Sequence, residues 1–542
     1  MSARAGNTRI MPLERSVDAV VVGAGFAGLY AIHRLRGLGL SVQAFEAGEG
    51  VGGTWYWNRY PGARCDVESM QYSFSFDEAL QQEWEWTERY PSQAEILRYL
   101  DHVADRFDLR RDIRFGARVS EARWDDAAGH WTVRTEAGDA VTARFVVMAT
   151  GALSAARKPD FPGLDDFRGR WYHTGRWPHE PVDFTGQRVG VIGTGSSGIQ
   201  TIPAVARQAA EVVVFQRTPN FTIPAWNRPL KEGEQEEWKA RYPELRAKAR
   251  ETRSGILYEY STRGAFEVDA AERRAEFERR WAHGGSNFTH AFNDVFLKIE
   301  SNDEAAGFVR EKIRSLVGDP TVAAKLMPHD HPIGTKRICV DTDYYATFNR
   351  PNVSLVDVRQ EPIEAVTPDG IRTAARDYPL DSIVFATGYD AVTGAVMRIA
   401  VTGRDGATIR DSWASGPTSY LGLMVAGFPN LFTITGPGSP SILTNVVVSI
   451  EHHVEWIAAC LDHMARHGLT RIEPTEEAET GWVAHVAEVA DRTLFPRANS
   501  WYMGANVPGK PRVFLPYVGG FMNYARLCDE IVRDGYRGFA MG

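Results

Sequence analysis

The sequence predicts an α/β fold: two similar strand–turn–helix units, the second inserted in the first, with a helical subdomain alongside. Three observations carry that prediction. One is a repeated segment. Residues 18–28 read DAVVVGAGFAG and residues 188–198 read RVGVIGTGSSG. Each takes an apolar strand through G-x-G-x-x-G into a helix with apolar spacing, at Leu29, Ile32, Leu35 and Leu38 in one copy and at Ile199, Ile202 and Val205 in the other. A second short strand comes after each helix, at 42–45 and 212–215. The next observation is a pair of apolar strands ending in Ala-Thr-Gly, at 143–151 and 380–388. Each is placed to return to its own unit's sheet, which nests the second unit inside the first. Last, from about 230 to 326 the pattern turns to charged, amphipathic helix, as at 270–281 and 303–317.

A lone glycine loop is weak evidence, but two copies in a strand–turn–helix–strand context define Rossmann-like dinucleotide-binding domains. The implied boundaries are 1–152 and 390–542 for the first unit, 153–229 and 334–389 for the second, and 230–333 for the helical subdomain. Beyond 390, strands and loops rich in glycine and aromatics precede helices near 450–464 and 478–494.

Composition narrows the function. The 542 residues are 44% hydrophobic, 24% charged and 11% aromatic, as in ordinary globular proteins. The net charge of −8 argues against nucleic acid as a partner. Cys65, Cys339, Cys460 and Cys528 lie far apart, which excludes a C-x-x-C pair and a disulfide scaffold and predicts a reducing cytoplasm. The first seventeen residues carry Arg4, Arg9, Glu14 and Arg15 without an apolar block, so no secretory leader is expected. The longest apolar-plus-glycine run, 19–32, is too short for a bilayer. No membrane association is expected, and a monomer or weak homo-oligomer is. Adjacent His452 and His453 point in different helical directions, and His329-x-His331 lacks further ligands, so no metal is expected.

The two loops lead to strands with different ends. Gly23, Gly25, Ala27 and Gly28 in one, and Gly193, Thr194, Gly195, Ser196, Ser197 and Gly198 in the other, let backbone N–H groups approach a pyrophosphate. The first unit's second strand ends at Glu46, whose carboxylate accepts ribose hydroxyls and repels a 2′-phosphate, which suits FAD or NAD. The matching strand of the second unit ends Gln216-Arg217-Thr218, where a guanidinium and a hydroxyl suit the 2′-phosphate of NADPH. Arg217 as a plain surface charge is the competing account. Flavin with NADPH leaves disulfide reductases and oxygenases. Cys65 has no partner cysteine within two hundred residues, which disfavours a reductase.

Residues 167–178, FRGRWYHTGRWP, match F-x-G-x-x-x-H-x-x-x-W-P, the fingerprint of the Baeyer–Villiger monooxygenases. Trp177 stands where related flavin-containing and N-hydroxylating monooxygenases usually carry Tyr or Phe. A second family signature is met by 52–66, GGTWYWNRYPGARCD. The resemblance spans essentially the whole chain, and through 177–184 and 500–510 it looks most like the phenylacetone and steroid monooxygenases.

The resemblance implies an FAD- and NADPH-dependent enzyme that uses O₂ and a C4a-peroxyflavin to turn aryl, cyclic or steroid-like ketones into esters or lactones. It implies Arg337 as the fixed cation at the flavin and Asp66 as its orienting partner. Lys336 would join Arg217 and Thr218 at the 2′-phosphate, and Trp501 would cover NADP⁺ and substrate. Trp55, Tyr56 and Trp57 would flank the isoalloxazine, with Tyr72 offering an aromatic body with a hydroxyl. Thr54, Arg64 and Val446 would also bind cofactor, and Val119, ending a strand 113–119, would meet the adenine side. Core packing is the competing account for the aromatic residues. The 438–443 turn would border the substrate pocket, where Ile442, Thr54 and Ala152 occupy variable places. His173 takes a conformational role rather than that of a general base. Two alternatives stay open: oxidation of amine or sulfide heteroatoms, and a non-catalytic flavin-binding protein.

Overall fold

The computed structural model describes residues 13–542, so Arg4 and Arg9, in the segment expected to lack a secretory leader, lie outside the described residues. Ala19 to Val22 are small or β-branched and fully inside, which places the end of β1 (Glu14–Val22) at the centre of a sheet. Helix Phe26–Gly37 leads from β1 to β2 (Val42–Phe45), which pairs parallel with β1. The expected strand 113–119 is instead two elements. β3 (Ile113–Arg114) pairs with β2, and Val119 opens β4 (Val119–Asp125). Gly116 causes the break: its φ of +61° turns the chain, and a Cβ there would meet Glu49 Oε1 at 2.8 Å. β4 and β5 (His130–Thr135) form an antiparallel ribbon against β6 (Ala140–Met148), which returns parallel to β1.

The chain then leaves this sheet and builds another. β7 (Arg170–His173), β8 (Arg188–Ile192) and, after helix Ser196–Ala206, β9 (Glu211–Gln216) belong to it. β10 (Thr222–Pro224) pairs with β11 (Cys339–Asp341) beside the sheet, and β12 (Val353–Asp357) joins its edge next to β9. β13 (Ile363–Thr367), β14 (Gly370–Thr373) and β15 (Asp377–Pro379) make a small antiparallel sheet before β16 (Ser382–Phe385) closes the order β12-β9-β8-β16-β7, all parallel. β17 (Ala400–Thr402) and β18 (Leu431–Thr433) then return to the first sheet, on β4 and β6.

Between β10 and β11 lie the helices Ala270–His283 and Ile299–Leu316, near the expected 270–281 and 303–317. Asp269 starts the first by accepting from the Glu272 N–H at 2.8 Å. Phe277, Trp281, Phe288 and Phe308 share one core with Val191 of the second sheet and Ile199 of the helix that follows its glycine loop. C-terminal helices run Val446–His467, Glu476–Asp491 and Phe521–Arg533; the last was not anticipated. No described helix is long and apolar enough to cross a membrane.

Each glycine loop closes on itself in the same way. A Cβ at Gly28 would lie 1.9 Å from the Gly23 carbonyl oxygen, and one at Gly198 2.1 Å from that of Gly193. The helix therefore approaches its strand only without a side chain there. Gly37, in the same helix as Gly28, meets nothing within 4 Å. Gly28→Ala should cost about 1–3 kcal/mol by overpacking, whereas Gly37→Ala should be neutral or stabilise by up to about 1 kcal/mol. Thermal unfolding of the two variants checks the contrast; equal melting shifts would contradict it.

Candidate active site

One cavity of about 820 Å³ lies where the two units face each other. From the first unit Gly23, Gly25, Ala27, Glu46, Thr54, Trp55, Trp57, Arg64, Asp66, Tyr72 and Val119 line it, joined by Val446. From the second come Gly195, Ser196, Ser197 and Arg337, and from the C-terminal loop Trp501. Gly28, Gly193 and Gly198 do not line it; they form the tight backing of the two turns. Thr194 is buried and donates its hydroxyl to the Thr218 carbonyl at 2.8 Å.

The expectation for Tyr56 is corrected. Its ring lies under Gly48 and Gly50 and 4.7 Å from His179, and its hydroxyl accepts from the Glu49 N–H at 3.0 Å. The single turn Thr54–Trp57 rotates successive side chains by about 100°, which aims Tyr56 away from the cavity. Trp55 faces inward and donates from Nε1 to the Tyr72 hydroxyl at 3.2 Å.

Arg337 is one of five arginines on the cavity wall among the described residues, with Arg64, Arg118, Arg176 and Arg398, and the one held there by a bidentate carboxylate. Its Nε and Nη2 each donate to Asp66 at 2.8 Å, a bidentate pair, and Nη1 donates to the Ile442 carbonyl at 2.8 Å. Burial works against its charge, but Asp66 outweighs burial and the pKa rises above the ordinary arginine value. The Tyr502 hydroxyl sits beside it, pushed up to about 12 by burial despite the guanidinium, and so stays protonated. Burial also pushes the Cys65 and Cys339 thiols up, Cys339 to about 12. All four cysteines are free and buried.

Glu46 is buried at the end of β2. Ala24 N–H donates to its Oε2 at 2.9 Å and Gly48 N–H to its Oε1 at 2.7 Å. Burial raises its pKa against these two bonds. Each oxygen keeps a lone pair for another donor. At the corresponding end of β9, Gln216 is turned away and donates to the Lys325 carbonyl at 2.8 Å. Arg217 and Lys336 form no hydrogen bond or ion pair among the described residues and lie outside the cavity lining.

Several contributors were not foreseen. Tyr60 donates to Gln200 Oε1 at 2.8 Å, and Gln200 Nε2 donates to the Arg64 carbonyl at 3.0 Å, sewing the signature loop of the first unit to the second unit's helix. Asn58 accepts from the Tyr389 hydroxyl across the same seam. Gln200, one helical turn into the Ser196–Ala206 helix and directly after the apolar Ile199, was the available signal. The cavity also suits two dinucleotides in its unmet needs. A Cβ at Gly195 would meet nothing within 4 Å, and the buried Asn506 Oδ1, at the cavity wall, has no partner.

The fingerprint segment stands at the edge of the second sheet and reaches back. The Trp177 N–H donates to the Trp57 carbonyl at 3.4 Å while its ring packs on Tyr172 and Phe184. His173 ends β7; its Nδ1 accepts from the Gly175 N–H at 3.0 Å, and its Nε2 lies 3.3 Å from Thr387 Oγ1. Burial, helped by Arg176, pulls its pKa down to about 4. The folded state thus favours neutral His173. That stability is complete above the unfolded pKa of about 6.5 and is lost as pH falls toward the folded value. Melting temperature should drop between pH 7.5 and pH 5, and His173→Gln should shrink the drop; an unchanged drop would remove His173 from the acid response.

A family model described as flavin-binding monooxygenase-like matches residues 17–233. A Baeyer–Villiger monooxygenase of Pseudooceanicola batsensis is 43% identical over 540 residues, covering 99% of this chain and 98% of its own. A phenazine N-monooxygenase of Lysobacter antibioticus is 41% identical over 528 residues, 97% of either chain. The solved structure of oxidized steroid monooxygenase bound to NADP is 53% identical, with a TM-score of 0.94 over 97% of this chain and 99% of that one. The chain belongs to the Baeyer–Villiger family of flavin- and NADPH-dependent monooxygenases.

Proposed function

We propose that this chain converts small aryl, cyclic or steroid-like ketones, with O₂ and NADPH, into esters or lactones. The observation that carries the reading is the bidentate Asp66–Arg337 pair on the wall of a cavity flanked by two glycine loops. We assign 1–152 and 390–542 to FAD, 153–229 and 334–389 to NADPH, and 230–333 to the wall beside them. Four free, buried cysteines support a cytoplasmic setting.

Bound FAD, reduced by NADPH, supplies the oxygen-activating chemistry. The side chains supply charge, position and dryness. Ketone oxygenation needs a nucleophilic oxygen, hence an anion, and Arg337 is a cation that burial does not discharge. Three of its five N–H donors are committed to Asp66 and Ile442, which holds the fork still. Asp66 is a positioning residue in this reading. Trp501, Ile442, Leu153 and Ala152 pack as one apolar group and keep water from the oxygen. Trp55, Trp57, Tyr72, Thr54, Arg64, Val119 and Val446 cradle FAD, and Glu46 takes its ribose hydroxyls. Arg217, Lys336 and Thr218 take the 2′-phosphate of NADPH.

A second reading, N-oxidation of a heteroaromatic ring, is favoured by the Lysobacter relative's name alone. Incubating flavin-loaded protein with NADPH and a panel of aryl, cyclic and steroid ketones, and weighing the products, decides between them. A ketone gaining one oxygen as an ester supports the first reading; N-oxide formation without ester supports the second.

Arg337→Ala should retain FAD and be reduced by NADPH, yet lose about 10²–10³ in ester formation, and Arg337→Lys should rescue little because a point charge lacks the fork held by Asp66. Rapid-mixing spectra with ester yield test both, and near-normal ester would remove Arg337 from the chemistry. Arg217→Ala should raise KM for NADPH roughly ten- to a hundredfold, on about 1.5–3 kcal/mol for a charge-assisted contact, and leave KM for NADH nearly unchanged. Equal effects on both coenzymes would place Arg217 elsewhere.

A further inference from the structure

The end of β9 carries more charge than the coenzyme reading uses. β12 lies in register beside it, with Asp357 opposite Gln216, and the Val358 N–H donates to the Gln216 carbonyl at 2.9 Å. The next residue, Arg359, therefore emerges next to the chain end that carries Arg217. The segment just before Lys336 adds an acid. Asp330 Oδ2 lies 3.6 Å from Arg359 Nη1, and Asp330 Oδ1 accepts from His331 Nδ1 at 2.7 Å.

Three cations and this carboxylate share one field. Burial lowers the Lys336 pKa, with Arg217 and Arg359 adding to the effect and Asp330 opposing it. The His331 hydrogen bond, with Lys336 and Arg359 behind it, holds Asp330 down to about 2, so it is ionised at every working pH. Burial outweighs Asp330 at His331 and lowers its pKa, so the ring bonds to the carboxylate without cancelling its charge. Asp357, 3.7 Å from Arg359 Nε, draws on the same guanidinium from the other side.

We propose that Asp330 is a specificity-determining residue that weakens the preference for NADPH over NADH, its carboxylate competing with the coenzyme's 2′-phosphate for Lys336, Arg359 and Arg217. The proposal rests on the reading that Arg217 and Lys336 receive that phosphate, and adds Arg359 to them. A carboxylate within the cluster repels the incoming dianion and occupies cation charge it would otherwise use. NADH, which carries a neutral 2′-hydroxyl, does not feel the difference. Asp330 is 37% exposed, so solvent screens the interaction and the effect is a few-fold one that salt weakens.

The test uses intact flavin-loaded protein and binding alone. Calorimetric titration with adenosine 2′,5′-bisphosphate and with 5′-AMP reads the two coenzyme halves separately. Asp330→Asn keeps an acceptor for His331 and removes the charge. It should tighten the bisphosphate by about two- to fivefold at low ionic strength, less at about 0.5 M salt, and leave 5′-AMP unchanged. Lys336→Met should shrink that gain in the double variant. Flavin content and melting temperature confirm folding, and Asp330→Ser serves as a second charge-removing variant should Asp330→Asn fold poorly. Unchanged or weaker bisphosphate binding in the folded variant overturns the proposal. Arg217→Ala separates the two levels. If it spares the bisphosphate, the coenzyme reading fails; if it weakens the bisphosphate while Asp330→Asn has no effect, only the role of Asp330 fails.

Discussion

The pairing of Asp66 with Arg337 is the constraint around which the rest of the molecule is arranged, because its two partners come from different units. Asp66 ends a loop that leaves the first sheet's helix and turn; Arg337 precedes β11, on the far side of the helical insertion. A guanidinium held in a cavity is tolerable only with a carboxylate in good geometry and its remaining donors occupied. Here the Ile442 carbonyl, from a third part of the chain, occupies another donor. Three segments distant in sequence must converge before this cation can sit where it does, and any relative shift of the units bears on it first.

Nesting of one sheet in the other makes that convergence possible. The chain leaves the first sheet after β6 and returns at β17, so the connections around 149–156 and 386–391 run side by side between the sheets. The Asp390 N–H donates to the Ala155 carbonyl at 2.9 Å and the Val392 N–H to the Ala152 carbonyl at 2.8 Å there. The Tyr60–Gln200–Arg64 seam and the Trp177–Trp57 backbone bond add further ties across the cavity. The helical insertion packs on both units, through Phe277, Trp281, Phe288 and Phe308 on the second and through Tyr242 and Ile256 on the first, and so braces the seam from the side.

Much of this was legible in the residues. The repeated G-x-G-x-x-G, the paired Ala-Thr-Gly strands and the acid-to-arginine change at the strand ends each express a local physical need, and local needs leave local patterns. Asp66 and Arg337 were legible only through family resemblance, since nothing in Lys336-Arg337 distinguishes a cavity cation from a surface pair. The features that stayed hidden depend on direction or on distant partners. Tyr56 sits in an aromatic run, and only the rotation of one helical turn separates it from Trp55. Gly116 breaks a strand by taking a φ of +61°, a choice that the sequence of a single glycine does not announce. Gln200 and Asp330 look like ordinary polar residues until the sheets bring Tyr60 and Arg359 to them.

Burial of every thiol has a consequence for the lifetime of such an enzyme. Oxidation by hydrogen peroxide proceeds through the thiolate, and its rate depends on the fraction ionised and its access to solvent. Cys65 lines the chamber where reduced flavin would meet oxygen and Cys339 lies behind Ser196 of its wall, yet burial holds both as protonated thiols. Peroxide escaping from an unproductive turnover therefore finds no ready nucleophile at its point of origin. Burial that keeps the site dry for its chemistry thus also keeps these thiols in their less reactive, protonated form.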